Sequence, residues 1–156
     1  MKDKLVLFFA TGCGISLFVP FAPGTFGSLP GIALAYALSG LSVVPQIAVC
    51  AALALLAVPV CGRAETLLGV RDDGRISADE WMLYPIAFIG LPVASLPWWA
   101  MAVFFGVVRL VDIIKPPPAK GLQALPGGWG VMVDDLVANL YALALNWLIF
   151  LWTFSR

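Results

Sequence analysis

Residues 136–154 read LVANLYALALNWLIFLWTF, nineteen positions without a charged side chain. A helix rising about 1.5 Å per residue covers roughly 28 Å over that length, enough to cross the hydrocarbon core of a bilayer. Residues 43–61, VVPQIAVCAALALLAVPVC, support the same reading. The other apolar pieces, 29–41, 82–91 and 98–108, would reach only about 15–20 Å each, so they are expected to be broken, tilted or re-entrant. Pro92 and Pro97 interrupt the apolar run 81–108, with Trp98 and Trp99 beside them. The run 5–22 follows Lys2 and Lys4 as a secretory signal would, yet the rest of the chain is just as apolar. It is therefore read as part of the bundle, made irregular by Gly12, Gly14 and Pro20. The expected fold is all-α: one domain over 1–156, a compact multipass integral membrane helical bundle with short, broken or re-entrant helices.

Composition agrees. Of 156 residues, 62% are hydrophobic and 12% charged, and the mean hydropathy is +0.98. A soluble domain carries about 25% charged residues, so disorder, a coiled coil and an ordinary water-soluble enzyme are excluded. Nine bases offset nine acids, leaving no basic field for nucleic acid. The chain has no histidine, which removes histidine acid–base catalysis, phosphohistidine, the serine–histidine triad and His-ligated zinc. Cys13, Cys50 and Cys61 show no CxxC spacing and are read as small buried hydrophobes.

Any chemistry must then come from carboxylates, Lys, Arg, hydroxyls, backbone amides and a metal. Seven of the nine acids fall between positions 72 and 135, and six of the nine bases lie in or beside the same loops. Asp79 and Glu80 open an apolar helix, where Ser77-Ala78-Asp79-Glu80 fits a capping box, although a cap leaves the upstream Asp72 and Asp73 unexplained. Asp134 and Asp135 are read as opening the last helix, where the dipole favours acids but two neighbouring carboxylates repel unless a divalent cation relieves them. The preceding Gly127-Gly128-Trp129-Gly130 would leave amides accessible to an oxyanion. Arg109, Asp112 and Lys115 recur every third residue, a solvated ion-pair pattern or a seat for an anionic ligand. Lys115 precedes Pro116 and is expected to leave its helix. Pro23–Ser28 reads as a turn offering the hydroxyls of Thr25 and Ser28 at a helix start, either an anion site or a plain cap. Asp135, Asn139 and Asn146 share one helix face, for interhelical hydrogen bonds or for lining a site. Clustered carboxylates with Mg²⁺, plus Arg and Lys, are an inventory for hydrolysing a phosphate ester, and the apolar surroundings imply a lipid substrate.

Four motifs carry a resemblance. PGTFGS at 23–28, DDGRISADE at 72–80, RLVDIIKP at 109–116 and GGWGVMVDD at 127–135 resemble phosphatidylglycerophosphatase A, in that family's order. The resemblance implies a Mg²⁺-dependent phosphatase of the bacterial inner membrane that converts phosphatidylglycerophosphate to phosphatidylglycerol. Carried onto this chain, it makes Asp79, Glu80, Asp134 and Asp135 the metal-binding acids and, with Asp112, the catalytic set. Thr25, Ser28, Arg109 and Lys115 become the phosphate-binding residues, with Asp112 either orienting Arg109 or acting as general base. The chain departs from the family at Ser77-Ala78, at Trp81–Tyr84 and at Asn139, where a glycine is common. A shared site requires the loops at 23–28, 62–80 and 109–135 on one membrane face, and their basic residues favour the cytoplasmic one. The alternatives are a phosphatase for another lipid phosphomonoester and a non-catalytic cation-binding or transport protein.

Overall fold

A computed structural model of the chain describes residues 2–19, 21–71, 73–125 and 128–154; Pro20, Asp72 and Gly127 of the sequence reading lie outside them. The regular structure described is all helical: α1 (Lys2–Ala10), α2 (Ile15–Phe18), α3 (Pro23–Gly27), α4 (Leu29–Leu38), α5 (Val43–Leu68), α6 (Ala78–Leu83), α7 (Trp98–Ile114), α8 (Ala119–Leu122) and α9 (Gly128–Phe154), with 3₁₀ turns at Tyr84–Phe88 and Val93–Ser95.

Helices α5 and α9 form the frame. Each is about 40 Å long and apolar enough to cross a membrane. Within the most apolar 18-residue window of each, only 22% is buried in the protein. The core helix of a soluble domain would be mostly buried, whereas here Leu55, Leu56, Leu148 and Trp152 point outward. Lipid is the solvent suited to such surfaces. The inward stripe of α5 is Gln46, Cys50, Ala54, Ala57, Cys61 and Ala64, mostly small residues at three- and four-residue spacing. It packs against Gly128, Val131, Met132 and Asp135 on the α9 side. Small side chains let the two backbones approach closely, which is how helices gain contact where no hydrophobic force drives them together.

Several elements differ from their sequence reading. Helix α5 runs on to Leu68, so Arg63 is helical rather than part of a polar loop; it pairs with Asp3 of α1 at 2.8 Å on the surface. Gly69, at φ 71°, then ends the helix by donating its N–H to the Glu65 carbonyl. Residues 23–28 are largely a helical turn, because Pro23 presets the first helical φ. Cys50 and Cys61 are buried as expected. Cys13 is exposed: it lies in a left-handed run from Gly12 to Gly14 that separates α1 from α2 and turns its side chain outward.

The expected broken segment is present between α6 and α7. Non-helical backbone at membrane depth needs hydrogen-bond partners that lipid cannot supply. The frame helices provide them. Asn146 Nδ2 donates to the Ala87 carbonyl at 3.0 Å, Trp147 Nε1 donates to the Ile89 carbonyl at 2.9 Å, and Gly90 N donates to Gln46 Oε1 at 2.7 Å. Asn146, buried on the inward face of α9, thus holds the break in place.

Candidate active site

Four elements far apart in sequence meet at one end of the frame. Helices α3 and α6, the C-terminal end of α7 and the second turn of α9 enclose a cavity of about 380 Å³. Its charged lining is Asp73, Asp79, Glu80, Arg109, Asp112, Lys115 and Asp135, and its apolar lining includes Ala22, Ile76, Ile113 and Val131.

The charges are interlocked. Arg109 Nη1 lies 3.2 Å from Glu80 Oε1 and 3.1 Å from Asp112 Oδ2, so it bridges α6 to its own helix. Lys115, in a left-handed cap at φ 45°, has left the helix as expected. Its ammonium pairs with Asp134 and, at 3.2 Å, with Asp135 Oδ1. Asp79 is buried and accepts the backbone N–H of Glu80 at 2.9 Å. At the rim, Asp73 pairs with Arg75 at 2.6 Å, and hydrogen bonding by that guanidinium holds the Asp73 carboxyl below its ordinary range.

Among the described residues, the site acids Asp79, Glu80, Asp112, Asp134 and Asp135 share two neighbouring bases, Arg109 and Lys115, five carboxylates against two cations. Burial pushes the Glu80 carboxyl up to about 7, with the Arg109 charge opposing. Burial, reinforced by the charge of Glu80, pushes Asp79 well above the ordinary carboxylate range. Burial also opposes the Lys115 charge, but the carboxylates of Asp135 and Asp134 outweigh it and hold the ammonium above its ordinary range. The buried Asp134 Oδ1 has no hydrogen-bond partner among the described residues. Hard oxygen donors in negative excess, one of them unsatisfied, suit a divalent cation of the Mg²⁺ kind. As placed, no three acids among the described residues close on one point as a ready cation cage. Arg109 and Lys115 pair with these carboxylates instead.

Of the residues read from sequence, Thr25, Asp79, Glu80, Arg109, Asp112, Lys115 and Asp135 line the cavity, and Asp134 joins it through Lys115. Ser28 lies beneath the cavity, fully buried, donating its hydroxyl to the Thr25 carbonyl at 2.8 Å. The capping box is absent. The Ser77 hydroxyl instead accepts from Ser16 at 2.9 Å, and the Ser77 N–H is satisfied by the Ala10 carbonyl. Glu80 is thereby released to face Arg109. Asp134 and Asp135 do not open α9: the helix begins at Gly128 and places them nearly two turns inside it. Gly128 and Gly130 serve close backbone contact, with Val58 and Gly62 and with the Gln123 and Leu125 carbonyls respectively, rather than an oxyanion.

Sequence reading missed three features. At Gly24 a Cβ would overlap the Glu80 carboxylate, so this glycine lets α3 close over the acid. At Gly27 a Cβ would meet the Ser16 and Ser77 side chains. Tyr84 closes the floor of the site, beside Asn139, which the sequence places on the Asp135 face of α9. The glycines stood in a quoted motif, but nothing in the sequence named what they touch.

The described fold is thus an all-helical frame with two long apolar helices, enclosing an acid-rich cavity that also carries an arginine and a lysine. The family model for phosphatidylglycerophosphatase A matches residues 8–150. Similar proteins include phosphatidylglycerophosphatase A of Haemophilus influenzae, 36% identical over 92% of this chain and 87% of that protein. The protein of the same name from Escherichia coli is 31% identical over 88% of this chain and 78% of its own length. A putative phosphatidylinositol-3-phosphatase of Bacteroides thetaiotaomicron is 32% identical over 90% and 91%. No solved structure matches. The chain belongs to the phosphatidylglycerophosphatase A family.

Proposed function

We propose that this chain is a Mg²⁺-dependent hydrolase that converts phosphatidylglycerophosphate to phosphatidylglycerol and inorganic phosphate, in phospholipid biosynthesis. The observation that carries the reading is the convergence of Thr25, Glu80, Arg109, Lys115 and Asp135, from four separate motifs, on one cavity with apolar flanks. Arg109 and Lys115 bind the phosphomonoester oxygens, Arg109 through a planar fork and Lys115 as a point charge. Asp112, paired to Arg109, orients that fork. Ala22 and Ile113 face the lipid portion next to the headgroup. Water attacks phosphorus, the ester P–O bond breaks, and the glycerol oxygen leaves with a proton. Asp112, the site acid not assigned to the metal, lines the same cavity and is placed to take the proton the water gives up. Asp79, Glu80, Asp134 and Asp135 would hold Mg²⁺, which supplies charge neutralisation at phosphorus and acidifies water.

Phosphate release from phosphatidylglycerophosphate by the detergent-purified protein tests this. Release in Mg²⁺ that EDTA abolishes, and added Mg²⁺ restores, is the expected result. Release that survives EDTA would overturn the metal assignment, and no release from folded protein would overturn the substrate. A second reading, a phosphatase for another lipid phosphomonoester, is favoured by the name of the Bacteroides relative; competition between lipid headgroups separates the two.

The protein is proposed to cross the inner membrane several times, with the cavity at the cytoplasmic face, a placement supported by the basic residues Arg71, Arg75, Arg109, Lys115 and Lys120 around it. Single cysteines replacing Arg75 and Lys120 in a chain otherwise free of cysteine are expected to label from the same, cytoplasmic side. Labelling from opposite sides would sink the single-face arrangement.

A further inference from the structure

Behind the cavity, beneath Arg109, lies a second and far smaller space of about 10 Å³, walled by Ser28, Glu80, Tyr84, Val108, Arg109 and Asn139 among others. It has room for about one water molecule. Four buried polar atoms of its lining residues have no hydrogen-bond partner among the described residues: Tyr84 Oη, Arg109 Nε, Glu80 Oε2 and Asn139 Oδ1. Tyr84 and Asn139 are 1% and 4% exposed, so bulk water does not reach them. The Asn139 amide is oriented by its own bond, Nδ2 donating to the Asp135 carbonyl at 2.9 Å, which leaves Oδ1 turned away from that contact.

Two of the four atoms carry hydrogens to give and two can only accept. A water molecule accepts two hydrogen bonds and donates two. We infer that one ordered water fills this space, accepting from Tyr84 Oη and Arg109 Nε and donating to Glu80 Oε2 and Asn139 Oδ1. The match in number and polarity is complete, and leaving four such atoms unpaired would be costly, each by the desolvation of a buried polar group.

The water makes Tyr84 and Asn139 positioning residues. Arg109 points its Nη1 edge at Glu80 and Asp112, and the water holds the opposite, Nε, edge. The plane of the guanidinium is then fixed from both sides, and Glu80 keeps Oε1 toward the cavity because Oε2 is engaged behind. This arrangement rests on the proposed role of Arg109 as the phosphate-binding fork.

Tyr84→Phe removes only the hydroxyl and keeps the ring, which stacks on Phe88 with centroids 5.1 Å apart. The expected result is a thermal midpoint lowered by no more than a few degrees and a fall of about five- to tenfold in kcat on phosphatidylglycerophosphate, the scale of one hydrogen bond. In an Arg109→Lys background, which has no Nε fork to orient, the same change should cost nothing further. Full turnover in Tyr84→Phe, or an undiminished loss in the lysine background, would overturn the positioning role. An experimental structure resolving waters gives a readout free of activity: a density peak within hydrogen-bonding distance of all four atoms supports the inference, and a dry space overturns it. Failure of the wild-type protein to hydrolyse the lipid would reject the functional reading, while that density would still decide the water.

Discussion

Replacing Asp135 by Asn is expected to lower turnover by roughly 10²- to 10⁴-fold, the usual worth of a positioned charged group in catalysis, while leaving the protein as stable as before or more so. The two effects have one cause. Asp135 is 4% exposed and shares its surroundings with Asp79, Glu80, Asp112 and Asp134, opposed among the described residues by Arg109 and Lys115. An amide of the same shape keeps the packing, removes one of the repelling charges and leaves Lys115 its partner Asp134. The reaction loses what the fold gains, the usual trade at a site held strained for function. Glu80→Gln should behave likewise, with a further loss because its contact to Arg109 weakens from a charged to a neutral one. Initial rates and thermal midpoints from the same detergent preparations check both statements. Near-normal turnover in the two variants would remove the carboxylates from the mechanism.

The largest loss of stability is expected at Gly128→Ala. A Cβ there would overlap the Val58 carbonyl oxygen and lie 2.8 Å from the Gly62 amide nitrogen, both of them backbone atoms that no rotamer change can move. Helices α5 and α9 would have to separate at the end nearest the site. Overpacking of this kind costs about 1–3 kcal/mol, which for a chain of this size lowers the thermal midpoint by roughly 2–12 °C. Because Asp134 and Asp135 ride on the turns that follow, activity measured well below the midpoint should fall as well. Thermal unfolding and phosphate release of the variant in detergent measure both. A midpoint equal to that of the wild-type protein would mean that the two backbones do not meet at Gly128.

Much of the architecture is legible in one dimension because the bilayer imposes simple demands. Length and apolarity pick out α5 and α9 without any knowledge of neighbours, and short apolar pieces cut by Pro92 and Pro97 announce a broken segment. The charged residues could be nominated for a similar reason: in a chain this apolar, a carboxylate or guanidinium that is retained needs a purpose. Local rules failed where a distant partner outbid a near one. Ser77 fits a helix cap by spacing, yet Ser16, sixty-one positions away, takes its hydroxyl. Asp134 and Asp135 look like a helix start because Gly127–Gly130 looks like a loop. The structure begins α9 at Gly128, because glycines allow its first turn to lie directly on α5.

The sequence by itself determined the solvent, the helical class, the absence of histidine chemistry and the inventory of acids and bases, since each depends on residue type and run length alone. Tertiary structure decided which charges meet. It set Arg109 between Glu80 and Asp112, and Lys115 between Asp134 and Asp135. It also gave Gly24 the task of making room for a carboxylate, and placed Tyr84 and Asn139 under the site. The physical reason is range: propensity and periodicity act over a few neighbouring residues, whereas charge pairing and close packing act between atoms a few ångströms apart, wherever in the chain they lie.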